Sequence, residues 1–164
     1  QAALEEFLSR YVDPVAIAAG YQAARVRAMP LRRTGTVVSA GDHDDAAGDI
    51  AYHGAWLRNH DFAETRNRTV TYSNVPGDRF TLRFQGAEIV WIHTRAANRG
   101  IAEILLDGTK VAELDLYRKV TEWQAEAHYT APGPGPHEFD VRVSGRKNPA
   151  STDVFVDVDA LTVR

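Results

Sequence analysis

The chain has 164 residues, of which 44% are hydrophobic and 25% charged, with a formal net charge of −3. That length can bury one domain core without disulfide or metal staples. The slightly acidic balance gives no global attraction to nucleic acid or to an anionic membrane, and the lack of cysteine removes thiol catalysis and thiolate metal sites.

From the N-terminus, Leu4, Phe7, Leu8 and Tyr11 recur at helical spacing, and Asp13-Pro14 breaks the run. Residues 15–28 are rich in alanine, with Arg25 and Arg27 late, as a second helix prefers, and Met29-Pro30 ends it. Residues 1–33 are therefore expected to form a helical segment or connector ahead of a domain spanning 34–164. Gln1 at the start and Met29 as the single methionine suggest a segment of a longer, processed or multidomain protein.

After Arg33 the texture turns to β. Phe80, Leu82 and Phe84 alternate with Arg79, Thr81, Arg83 and Gln85, and Phe139, Val141 and Val143 alternate with Glu138, Asp140, Arg142 and Ser144. Residues 101–106 and 110–116 flank Asp107-Gly108, a hairpin signal because a type I′ turn needs positive φ. Val154, Val156 and Val158 are in phase, and the phase slips near Ala160 as at a bulge. Short strands with turn signals roughly every 8–12 residues predict an all-β chain, an antiparallel β-sandwich or jelly roll.

If successive strands run antiparallel, the loops alternate between the two ends of the sandwich. The turns at 86–87 and 107–108 and the proline-rich loop 130–136 fall at one end. The loops 73–78, 94–98, 117–122 and 145–152 share the other, which collects most of the basic and amide side chains. Loops on a rigid scaffold are where binding residues concentrate.

Several stretches resemble sugar-binding modules of the galactose-binding-like fold, of the kind appended to bacterial glycoside hydrolases. Tyr52-His53-Gly54-Ala55-Trp56 is similar to their Y-x-G-x-W opening strand. Residues 99–117 resemble their central hairpin, and 135–163 resemble their last two strands with the "G-x-K-N-P-x-S" loop between them. With 84–91, the likeness covers about residues 50–163. It implies a secreted or periplasmic carbohydrate-binding module with a polysaccharide or oligosaccharide as partner, beside a catalytic domain of the same polypeptide.

Sugar recognition joins an aromatic face to planar or charged hydrogen-bonding groups. Trp91 lies in an apolar strand and Trp56 in the opening strand, so both are assigned to packing, while Trp123 and Tyr117 flank a loop at the basic end. The expected ligand-binding set is Arg95, Arg99, Tyr117, Arg118, Trp123, Lys147 and Asn148, for a neutral or an acidic sugar. The competing reading makes these arginines a solvated rim paired to Glu122, Asp153 and Asp78. Asp42, His43, Asp44, Asp45 and Asp49 could chelate calcium near Asp157 and Asp159; a charged surface loop is preferred, so no cofactor is expected although a structural calcium is left open. The six histidines fit no zinc spacing and no nucleophile–base pattern appears, so no enzyme is expected. A ligand-free structural accessory domain of the same fold is the alternative, and an adhesion module a third.

Overall fold

The computed structural model describes residues 36–164. The helices expected within 1–33 lie outside the described residues. Twelve strands follow in chain order. They are β1 (Gly41–Asp44), β2 (Ala51–His53), β3 (Leu57–Asn59), β4 (Val70–Ser73), β5 (Arg79–Gln85) and β6 (Glu88–Arg95). After these come β7 (Ile101–Leu106), β8 (Thr109–Asp115), β9 (Glu122–Thr130), β10 (Pro136–Val143), β11 (Val156–Val158) and β12 (Ala160–Val163). They build a four-stranded sheet ordered β1-β12-β6-β9, a five-stranded sheet ordered β2-β5-β10-β7-β8, and a small sheet ordered β11-β4-β3. All pairings between named strands are antiparallel. No helix among the described residues is long and apolar enough to cross a membrane.

Period-two alternation turns one set of side chains of each strand to a common core. Phe80, Leu82 and Phe84 from β5 and Phe139, Val141 and Val143 from β10 all lie in it, at 1% exposure or less. Opposite them the four-stranded sheet contributes Ile89, Trp91, Leu161 and Val163. The two large sheets therefore close as a sandwich, as the alternation requires. At the β7–β8 turn Asp107 and Gly108 both have positive φ, 52° and 77°, the type I′ geometry that matches strand twist.

The opening motif packs for a stated reason. Tyr52 and Trp56 are buried with ring centroids 5.5 Å apart, and the Trp56 indole donates to the His53 carbonyl. Between them Gly54 has φ of 108°, and a Cβ there would fall 1.9 Å from Asp78 Oδ1. That carboxylate is held by the Ala55 N–H and the Ser73 hydroxyl, so only glycine fits.

Two expectations are corrected. Residues 41–44 form β1, paired with β12, where a solvated acidic loop was expected. Asp45 just after it is fully buried, because the Thr69 and Thr71 hydroxyls and Arg58 satisfy its carboxylate and the Tyr52 hydroxyl donates to its carbonyl. Second, the phase slip near Ala160 is a change of sheet at Asp159. Residues 156–158 pair with β4, while 160–163 run between β1 and β6 in the four-stranded sheet.

Candidate functional site

The long loops do share one end. The Arg118 N–H donates to the Ala96 carbonyl, the Thr152 N–H to Ala97, the Phe155 N–H to Asn98 and the Ile101 N–H to Arg146. Loops 96–100, 116–121 and 144–155 are thus one hydrogen-bonded platform. Loop 74–78 joins it through the Asn74 amide, which donates to Asp153.

Five of the residues expected to bind ligand gather on one side of this platform. Asp115 is their hub: its carboxylate accepts from the Tyr117 N–H and the Asn148 amide, and its carbonyl from Arg95. Arg95 and Arg118 also flank Glu122, at 4.0 and 3.4 Å. Lys147 donates to the Ser151 carbonyl. Tyr117 and Asn148 are half-buried, while Arg118 and Lys147 are exposed. Each of these cations has at least one acceptor within the chain, while Arg95 Nε has no hydrogen-bond partner among the described residues. Behind them His93 stacks on Trp91 at a centroid distance of 4.4 Å and is 1% exposed. Burial pushes its imidazole below the ordinary range, against the opposing pull of the Asp157 carboxylate.

Arg99 and Trp123 lie apart from this hub. The Arg99 guanidinium turns inward, donating from Nε (3.1 Å) and Nη2 (2.6 Å) to Asp157 Oδ2 and from Nη1 to Asn98 Oδ1. Asp157 is fully buried and also accepts the Thr94 N–H. Beside this pair opens a concavity of about 230 Å³, lined by Phe62, Val70, Tyr72, Asn98, Arg99 and Phe155. Its geometry follows from β4: Val70 and Tyr72 share the face toward the concavity, while Thr71 and Ser73 point the other way to Asp45 and Asp78. Phe155 meets Tyr72 edge-on at 5.7 Å and 76°. Trp123 packs on Phe62 at 5.3 Å and stays half-buried at the margin.

The concavity therefore holds three aromatic walls, an amide and a guanidinium. The sequence grouped Arg99 and Trp123 with the hub residues instead; Arg99 lines the concavity, Trp123 lies at its margin, and Phe62, Tyr72 and Phe155 were not expected there. Phe62 sits in a patternless loop, and nothing in the sequence pairs it with Trp123.

No protein-family profile and no curated protein sequence matches the chain. Solved structures do match its fold. A xanthan lyase from Paenibacillus superposes with a TM-score of 0.60 at 16% identity, over 79% of this chain and 13% of its own. A two-domain esterase active on acetylated mannans gives 0.57 at 17%, over 74% of this chain and 35% of its own. An arabinoxylan arabinofuranohydrolase of glycoside hydrolase family 43 from Bacillus subtilis gives 0.55 at 17%, over 79% and 28%. The likeness is one of fold. This chain spans between 13% and 35% of these neighbours, all of them carbohydrate-active enzymes, so the likeness is to a small β-sandwich part of each.

The opposite end is built differently. His137 is buried between Asp107 Oδ2 (2.8 Å from Nδ1) and the Gly133 carbonyl (2.7 Å from Nε2). Both ring nitrogens face acceptors, which favours the imidazolium, and the Asp107 hydrogen bond raises its pKa. This contact ties the proline-rich loop to the β7–β8 turn.

Proposed function

We propose that this sandwich is the noncatalytic carbohydrate-binding module of a larger carbohydrate-active enzyme, acting outside the cytoplasm. Its partners are then a glycan and a catalytic domain of the same polypeptide, with neither nucleic acid nor membrane as target. The observation that carries the reading is the concavity walled by Phe62, Tyr72 and Phe155 with Asn98 and Arg99 at its edge. Aromatic faces accept the C–H side of a sugar ring, and an amide and a hydroxyl supply directed hydrogen bonds to its hydroxyls. The fold neighbours support the same direction: the mannan esterase was crystallised with mannopentaose and the arabinofuranohydrolase with cellotetraose. Titration calorimetry with these two sugars and a wider glycan panel tests the proposal. Binding that Phe155→Ala weakens by about ten-fold or more, with the fold retained by circular dichroism, is expected. A hit unaffected by that change would move the site elsewhere.

The engagement of Arg95, Arg118 and Lys147 with internal partners favours a second reading, an accessory domain without ligand. A panel without a hit would select it.

A further inference from the structure

The geometry points to an uncharged glycan as the occupant of the concavity, an inference that rests on the carbohydrate-binding reading above. The one charged group in the lining is Arg99, and its guanidinium already faces a fully buried carboxylate through Nε and Nη2. Its third nitrogen, Nη1, donates to Asn98 Oδ1 at 2.7 Å, so three of its five N–H groups are engaged within the chain. An acidic sugar there would have to compete with Asp157, whose position is fixed by the Thr94 N–H at 2.8 Å and which cannot follow the guanidinium outward. Apart from this internally neutralised guanidinium, the polar side-chain groups in the lining are uncharged. The Asn98 amide nitrogen and the Tyr72 hydroxyl make no hydrogen bond to any other described residue, and both side chains are half-buried beside the aromatic walls.

Charge is balanced around the lining too. Asp153, two residues before Phe155 in the chain, accepts from the Asn74 amide at 3.2 Å and adds a carboxylate to this end of the sandwich. Exposed cations such as Arg118 and Arg146 are compensated by Glu122 and Glu113. A site made of aromatic faces, one amide, one phenol and a guanidinium already paired to Asp157 discriminates by ring shape and hydroxyl pattern more than by charge.

The test is calorimetric titration of the full chain with two panels. One holds neutral gluco-, manno-, xylo- and galacto-oligosaccharides; the other holds galacturonate, glucuronate and guluronate oligomers. A neutral sugar is expected to bind with Kd changing less than about two-fold between low salt and about 0.5 M salt. Tyr72→Phe and Asn98→Ala should each weaken it by about ten-fold, the worth of one hydrogen bond, with unchanged melting temperature in the conservative Tyr72→Phe. A uronate oligomer that binds more tightly than every neutral sugar, and loses about ten-fold or more in affinity as salt rises, overturns the inference while leaving carbohydrate binding intact. Silence from both panels ends both readings together.

Discussion

Removing Arg99 should damage the fold before it damages binding. Its side chain is only 13% exposed, and it supplies two of the hydrogen bonds to Asp157, which is fully buried. Arg99→Ala leaves that carboxylate with the Thr94 N–H as its remaining hydrogen-bond donor. Breaking one side of a buried pair costs about 3–5 kcal/mol, because the surviving charge stays desolvated. For a chain of this size about 3 °C of melting temperature is lost per kcal/mol, so the transition should fall by about 9–15 °C. Thermal unfolding followed by circular dichroism measures it. The decisive control is Arg99→Ala combined with Asp157→Asn, which removes the stranded charge and should recover about half of the loss. A single variant that melts within about 3 °C of the parent, or a double variant that melts no higher than the single, refutes the assignment of Arg99 as the partner of Asp157.

Asp159 is buried, and burial together with the nearby Asp157 and Asp45 carboxylates pushes its pKa up to about 7 from 3.8, with the Arg66 N–H opposing. The folded state then holds a proton that the unfolded state has lost between about pH 4 and 7, so this group makes stability fall as pH rises, by about 1.4 kcal/mol per unit. His93, held neutral by burial, acts in the opposite sense below its unfolded pKa, so the parent curve is expected to be flattened. The contribution of Asp159 is isolated as parent minus Asp159→Asn in urea unfolding, and a pH-independent difference would show that it is not protonated in the fold. Phe84→Ala and Phe139→Ala should each cost about 3–5 kcal/mol, and near-native urea midpoints would contradict the shared core. EDTA is expected to leave the melting temperature unchanged, because Asp45 and Asp159 are already satisfied by Thr69, Thr71, Arg58 and the Arg66 N–H. A fall of many degrees restored by calcium would reverse that expectation.

Much of the sandwich could be read in advance because its longest strands carry local signals. Phe80, Leu82 and Phe84 alternate without interruption, and Asp107-Gly108 marks its turn by chemistry alone. The strands β1, β2 and β3 have four residues or fewer, too short for a period to show, and their pairing is decided by distant partners such as Leu161 and Tyr72. Parity of antiparallel strands was enough to place the long loops at one end. It could not show that Arg99 would be claimed by a carboxylate 58 residues away, nor that Tyr72 and Phe155 would meet edge-on. Those contacts depend on the strand switching sheets at Asp159, which leaves only a slipped phase in the sequence.

The place of β12 has a consequence for how the protein is made. The last strand of this sandwich in chain order does not add to an edge: it fills the gap between β1, some 120 residues earlier, and β6. Until residues 160–163 leave the ribosome, β1 has no neighbour in that sheet and β6 has only β9, so the core side of Trp91 and Ile89 is incompletely covered. Folding therefore cannot proceed from the N-terminus by accretion. Pairing across such separations is slow, because loop closure precedes any reward from contact. The seam between β1 and β6 can be closed only once residues 160–163 have been synthesised.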